Sequence, residues 1–334
     1  MNNNKTNIVD LSIFKQKEYY ENLKKQCLLL KENQFSFGQD LISKLYPIIR
    51  NYPLEIQGEE NIPKDTNVLF VANHSNSHDI FTAYEIFSLL QRRGSVMVAK
   101  DCLNLLTTQI FNVSNATLLD RKIADSRKNS VLELSNKIIQ GNDGLIFGEG
   151  TWNIHPTLPM HNIHNGAAKV SLISQVPIIP VVFEYIENEE IVTTENKLFK
   201  KCVIRFGKPI YTNYYEKLSM QSDLIKQKMK EIRTGIWRDY QIVKDNIYDI
   251  DPKMYVNHTF AKKFKALGFT YDSNLEKQFL LFLGNEERNN EYTINEKNIL
   301  VPGITEKNIL VPGITEKNIL VPGITEKNIK MRKL

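Results

Sequence analysis

Three short stretches of this 334-residue chain carry side chains arranged in ways that can do chemistry. The first is Asn73-His74-Ser75-Asn76-Ser77-His78-Asp79, directly after an apolar run at residues 68–72. A histidine at a strand end, with an aspartate five residues on at the entry to a helix, can have one ring nitrogen held by the carboxylate. The other nitrogen is then free to accept a proton from an alcohol, which is general-base chemistry with the orientation built in. His78 is the rival histidine, but it adjoins Asp79, and neighbouring side chains at a helix start point in different directions. Histidine and aspartate at this spacing are commonplace, so an ordinary strand-to-helix turn fits the same residues.

The second stretch, Leu118-Leu119-Asp120-Arg121-Lys122, ends another apolar run. Arg121 can grip a phosphate with a planar fork of donors that Lys122 cannot match, or Asp120 and Arg121 can pair to cap the helix that follows. The third is Phe147-Gly148-Glu149-Gly150-Thr151-Trp152-Asn153. Gly148 and Gly150 let the backbone come close to a ligand, and their amides with the Thr151 hydroxyl can cup an oxyanion or phosphate. The Lys and Ser/Thr of a nucleotide P-loop do not follow, and a plain glycine turn is the alternative. His155, His161 and His164 crowd the next segment. The last two stand three apart, adequate for two ligands on one helical turn, but Pro156 and Pro159 favour a loop and no metal is expected.

The order of these stretches says more than any one of them. His-x4-Asp, an apolar-Asp-Arg strand end, Glu-Gly-Thr after a strand, then Val-Pro-Ile-Ile-Pro-Val at 176–181 resemble the four successive blocks of the lysophosphatidic acid acyltransferases, the glycerolipid acyltransferase family. The flanks agree: Gly58-Glu59-Glu60-Asn61-Ile62-Pro63 precedes the first strand, and Gly207-Lys208-Pro209-Ile210 is similar to the family's closing strand and turn. The resemblance spans roughly residues 50–215.

It implies an O-acyltransferase that moves a fatty acyl group from acyl-CoA or acyl carrier protein to the hydroxyl of a lysophospholipid, by direct attack and without a cofactor. By similarity His74 is the general base and Asp79 its orienter. Arg121 would bind the acceptor's phosphate, Glu149, Gly150 and Thr151 would complete the acceptor site, and Asn73, Lys100 and Trp152 join the expected substrate-binding residues. Pro177 to Pro180 would shape a wall near the acyl chain. Three positions depart from the family's pattern: Gly148 stands for a proline, Trp152 for an arginine, and Asn115 for the glycine that opens the second block. Losing that arginine makes an acceptor other than lysophosphatidic acid plausible, and asparagine also accepts unusual backbone angles. The rival readings are the same chemistry on another lipid or glycolipid hydroxyl, and a non-catalytic membrane-associated scaffold.

The elements that must position these residues follow from periodicity. Short apolar runs alternating with polar helical stretches from residue 52 to about 212 predict an α/β domain with a mixed central sheet flanked by helices. Strands are expected at 68–72, 95–99, 117–119, 144–147, 178–183 and 202–206, with helices at 80–91, 126–140 and 165–174. The whole chain divides into an N-terminal amphipathic helical segment (1–50), the acyltransferase domain (51–215), a C-terminal helical region (216–292) and a tail (293–334). In the helical region Leu224, Met229, Ile232 and Ile236 are expected on one face, and no chemistry is expected there. In the tail the ten-residue unit TEKNILVPGI recurs almost unchanged, which is the mark of an array.

Lys and Arg exceed Asp and Glu by 43 to 38, a formal charge of +5, too mild to argue for nucleic acid but suited to an anionic substrate or membrane surface. Cys27, Cys102 and Cys202 lie far apart with no metal-ligand spacing. No secretory signal and no bilayer-spanning run is visible. A cytoplasmic protein held peripherally on the membrane face is expected; the N-terminal helices, with Leu11, Phe14, Leu23, Leu28 and Leu41 at helical spacing and Lys15, Lys17, Lys24 and Lys25 among them, fit either a helical cap packed on the core or a helix lying at the lipid surface.

Overall fold

A computed structural model describes residues 4–29, 37–50, 52–76, 78–100, 103, 105–150, 152–153, 158–187 and 199–242. Backbone packing divides the chain into Met1–Phe279 and Leu280–Leu334, and every described residue belongs to the first unit. The repeat tail and most of the C-terminal helical region lie outside the described residues.

Seven strands form one sheet in the order β1-β7-β6-β2-β5-β3-β4. They are β1 (Leu54–Gln57), β2 (Leu69–Ala72), β3 (Gly94–Ala99), β4 (Thr117–Leu119), β5 (Asp143–Phe147), β6 (Ile178–Glu187) and β7 (Phe199–Phe206). All neighbours are parallel except β6 and β7, so the sheet is mixed. Strand β1 and the helix α4 (Leu105–Val113) were not legible as elements in the sequence; the other strands and α3 (Asp79–Leu89), α5 (Ala124–Ile139) and α6 (Gly166–Ser174) fall within a few residues of expectation.

Strand β2 reads Leu-Phe-Val-Ala because both its faces are covered. Phe70 and Ala72 pack in a cluster with Ile42, Tyr46, Ala83, Tyr84 and Phe87. Leu69 and Val71 face the other way, onto Leu134, Ile138, Ala167, Val170 and Met229. Helices α2 (Phe37–Ile49) and α3 therefore lie on one side of the sheet, and α5, α6 and α7 (Leu218–Asp239) on the other. The chain leaves β2 into α3 and leaves the adjacent β5 toward α6, so the two connections part to opposite faces at the carboxyl ends of neighbouring strands. Open α/β sheets bind their ligands at such a crevice.

Pro180 sits inside β6, where a missing donor would normally break the ladder. Its carbonyl accepts from Gly207 N–H, just past the end of β7. The proline nitrogen thus falls where that neighbour runs out. Ile178, Ile179 and Val181 are fully buried, so this fourth block is a core strand supporting the site.

Of the two readings open to the N-terminal helices the first helix takes the core-packed one, and one expectation on the C-terminal helix is corrected. The N-terminal segment does form two helices, α1 (Asn4–Leu28) and α2, but α1 packs on the domain through Tyr20, Leu23 and Cys27 against Leu172 and Ile173, while Leu28 and Leu41 are exposed. On α7 the buried face carries Ile225, Met229 and Ile236, and Leu224 turns outward. The interval from Met229 to Ile236 was right; the residue one turn before it is Ile225.

Candidate active site

The parallel register sets Ala72 beside Phe147 and Ala99 beside Leu119. The loops after β2, β4 and β5, which carry the first three blocks, thereby open at one edge of the sheet. His74 donates through Nδ1–H to Asp79 Oδ2 at 2.9 Å. The same oxygen takes the backbone N–H groups of Ser75 and Asn76, each at 2.8 Å. Asp79 opens α3 and is completely buried, so the carboxylate is held by amides of its own turn as a first-turn acid should be. With Nδ1–H directed to Asp79, Nε2 is the basic nitrogen, and it has no hydrogen-bond partner among the described residues. The imidazole is 20% exposed. Phe147 stacks on it with centroids 4.3 Å apart, and Trp152 meets it edge-on at 5.5 Å.

The rival histidine is accounted for. His78 Nδ1 contacts the Tyr46 hydroxyl of α2 at 2.7 Å, and Tyr46 also bonds Tyr52. Burial pulls its pKa below the usual histidine value. It serves the α2–α3 contact.

Glu149 is buried beneath the pair. Its Oε1 accepts the His74 N–H at 3.2 Å and its Oε2 accepts the His161 N–H at 2.8 Å. Burial raises its pKa to about 7, opposed by those two amides, by nearby Arg233 and by the Asn153 side chain. The His74 backbone is gripped from the other side too, since Asn153 N–H donates to the His74 carbonyl at 2.5 Å. Both oxygens of Glu149 thus serve the protein's own backbone.

The remaining expected residues fall as follows. Asn73 is fully buried, and its amide exchanges hydrogen bonds with Phe183 N–H and C=O at 2.8 and 3.0 Å; it ties the end of β2 to β6. Arg121 donates through Nη1 to the Gly150 carbonyl at 2.8 Å, which joins the second block to the third. The N-terminus of α5 has no side-chain cap at Ile123, and Asp120 Oδ1 accepts Lys122 N–H. Gly150 has φ +64°, and a Cβ there would come within 2.7 Å of the His164 ring, so the position demands glycine. Gly148 donates its N–H to Ala72 O at 3.0 Å, a bond proline would forfeit. Asn115 does take the left-handed conformation, with φ 60°. Lys100 stands exposed just after β3. Thr151 and His155 lie outside the described residues. His161 is half-buried, its pKa lowered to about 4 by burial and then by Arg233 and Lys226, whereas His164 is exposed.

Sequence reasoning missed Arg233. It is 5% exposed, and its Nε donates to Glu184 Oε2 at 2.7 Å and its Nη1 to the Pro159 carbonyl at 3.0 Å. Trp237 Nε1 holds the other Glu184 oxygen at 2.9 Å. The signal was present, because Arg233 follows Met229 by four residues and so must share the buried face of α7.

Comparison with known proteins agrees with this geometry. The acyltransferase family model matches residues 53–184, which contain all four blocks in order. No curated protein sequence matches the chain. Among solved structures, the 1-acyl-sn-glycerophosphate (LPA) acyltransferase from Thermotoga maritima is similar to it, with 15% identity and a TM-score of 0.45 over 72% of this chain and 97% of that one. The His74–Asp79 pair, the loop that grips it and the strands that align them all fall within residues 53–184, the segment that is similar to the acyltransferase family.

Proposed function

We propose that this acyltransferase moves a fatty acyl group from a thioester, acyl-CoA or acyl carrier protein, to the hydroxyl of a lysophospholipid such as lysophosphatidic acid. The observation that carries the reading is the His74–Asp79 contact, 2.9 Å long and reinforced by two backbone amides on the same carboxylate oxygen. The pair orients Nε2 as a general base. Nε2 takes the acceptor's hydroxyl proton as that oxygen attacks the thioester carbonyl, and the imidazolium, stabilised by Asp79, returns the proton to the departing thiolate. A new ester and a free thiol result. Arg121, at the mouth beside Gly150, supplies the cation for the acceptor's phosphate. Lys100, Thr151 and Trp152 complete the substrate contacts in this reading, while Asn73 and Glu149 support them from below.

The acceptor lives in a bilayer, and we assign the lipid contact to α2. Leu41, Leu45, Ile48 and Ile49 are exposed along one face of that helix, Ile48 at 78% and Ile49 at 69%, while Ile42 and Tyr46 are buried opposite. Apolar residues at i, i+4, i+7 and i+8 facing solvent, with exposed Lys44 nearby, suit a helix lying in the interface. No described helix is long and apolar enough to cross a membrane. Helix α1 is committed to the domain instead, and its Lys24 bonds Gln175.

The test is purified protein with labelled acyl-CoA or acyl carrier protein against a panel of lysophospholipids and glycolipids. Transfer to a lysophospholipid is expected; transfer only to glycolipid would change the acceptor, and none with either donor would sink the reading. Sedimentation with anionic vesicles checks the lipid contact. Leu45→Glu with Ile48→Glu should abolish binding, and a variant that still sediments like the wild type would remove α2 from it.

A further inference from the structure

We infer that Glu149 and Arg233 are positioning residues, through which the C-terminal helix α7 splints the segment after the third block and fixes the backbone of His74. The inference rests on the acyl-transfer reading for its kinetic part only.

Helix α7 lies beyond the 53–184 segment that matches the family, yet one stripe of it grips residues 159–165 at three points. Arg233 Nη1 holds the Pro159 carbonyl at 3.0 Å, Lys226 bonds the Asn162 side chain, and Ser222 Oγ bonds Asn165 Oδ1 at 2.8 Å. Positions 222, 226 and 233 share a helix face. The segment so held presents His161 N–H to one oxygen of Glu149, and the other oxygen takes His74 N–H. A continuous set of contacts therefore runs from α7 to the catalytic histidine.

Glu149 and Arg233 themselves are buried, which makes their contacts strong and costly to leave unmade. Glu149 is 2% exposed, Arg233 5% and Glu184 4%. The Arg233 guanidinium is neutralised by Glu184, stacks 5.4 Å from the Trp237 ring, and acts on Glu149 electrostatically. A carboxylate with both oxygens taken by backbone amides has little to offer a substrate. It can instead set where the His74 Cα sits, and a base must lie within hydrogen-bond reach of the proton it takes. Arginine is required at 233 because one planar group must serve Glu184 and Pro159 together.

The experiment compares wild type, Glu149→Gln and Arg233→Lys in full-length protein. Glutamine matches glutamate in size but has one acceptor oxygen, so one of the two amides loses its partner. Hydrogen exchange at whichever of the His74 and His161 amides loses its acceptor, with no substrate present, should accelerate by about tenfold or more in E149Q, as losing one hydrogen bond of about 1.4 kcal/mol requires. Amides of β2 should keep wild-type rates, which separates a local loss from a general weakening. In turnover, kcat should fall with the acceptor KM unchanged. Arg233→Lys should speed exchange at His161 more than at His74 and lower kcat severalfold, again at constant KM. Wild-type exchange in E149Q would overturn the clamp, and a raised acceptor KM at preserved kcat would make Glu149 a substrate contact. Wild-type behaviour of R233K would remove α7 from the device. If wild type transfers no acyl group to any acceptor, the acyl-transfer reading fails, and the exchange rates alone still decide for or against the clamp.

Discussion

Two buried carboxylates serve His74, and they are built in opposite ways. Asp79 meets all its partners inside one turn: the imidazole five residues back and the amides of Ser75 and Asn76, four and three residues back. Glu149 meets His74 across 75 residues and His161 across 12, with Arg233 supporting the second partner from a separate helix. The first arrangement orients the ring and the second locates the backbone. Ring orientation can be closed locally, because a strand end and a helix start already fix the geometry of a five-residue turn. Backbone location must be referred to distant parts of the domain, and it therefore depends on the whole fold being in place.

The largest effect should come from removing what both carboxylates serve. His74→Ala should reduce acyl transfer by about a hundredfold to ten-thousandfold with the fold intact, since it deletes the general base itself. Labelled acyl thioester and lysophospholipid measure this, and a clean preparation with wild-type turnover would refute the mechanism. Next is the pH dependence of stability. Glu149 titrates at about 7 in the folded protein against an ordinary value of 4.5. Between those values the folded state holds a proton that the unfolded state has released, so stability falls as pH rises from 4.5 to 7. The shift corresponds to roughly 3 kcal/mol. His161 has the opposite slope, because its folded pKa of about 4 lies below 6.5 and stability is lost as pH falls through that window. Denaturant unfolding of wild type and E149Q across pH 4 to 8 isolates the glutamate: the wild-type advantage should shrink with rising pH, and a constant difference would contradict the raised pKa.

Asp79→Asn sharpens the contrast from the other side. It should cost about tenfold to a hundredfold in kcat, because an amide cannot stabilise the imidazolium and can select the wrong tautomer. Unlike E149Q, it should leave exchange at His161 untouched, since Asp79 makes no contact with that segment. A change there would mean the two carboxylates act as one unit. The smallest effect concerns Trp152, which stands where the family carries arginine and lies edge-on to His74. Trp152→Arg should lower kcat somewhat through lost packing, yet raise kcat/KM for lysophosphatidic acid relative to acceptors with a larger or less anionic headgroup. The forked cation suits a phosphate monoester and the aromatic face does not. An unchanged ratio would make Trp152 a packing residue alone.

These differences track what could be read without coordinates. The strands β2, β5 and β6 were legible because covering both faces of a strand demands an unbroken apolar run, and the His74–Asp79 pair because its spacing matches one turn. Asn115 was legible as a left-handed position because few residue types tolerate it. Strand β1 was not, since its four residues Leu54-Glu55-Ile56-Gln57 lie at the sheet edge and are only half-buried. The choice between α1 and α2 as the lipid-facing helix was equally hidden. Both carry apolar residues at helical spacing, and only packing shows that α1 spends its stripe on Leu172 and Ile173 while α2 has apolar residues left over.

The sequence by itself carried the resemblance to the acyltransferase family, the His74–Asp79 spacing and the strands that precede the blocks, because those reside in residue type and short spacing. Tertiary structure decided the rest. It turned Glu149 inward onto two backbone amides, it aimed His78 at Tyr46, and it brought Arg233 from a helix without apparent chemistry to the back of the site. Each of these depends on which distant surfaces meet, and a contact between residues 75 or 74 apart is set by the packing of whole elements, on which local spacing has no hold.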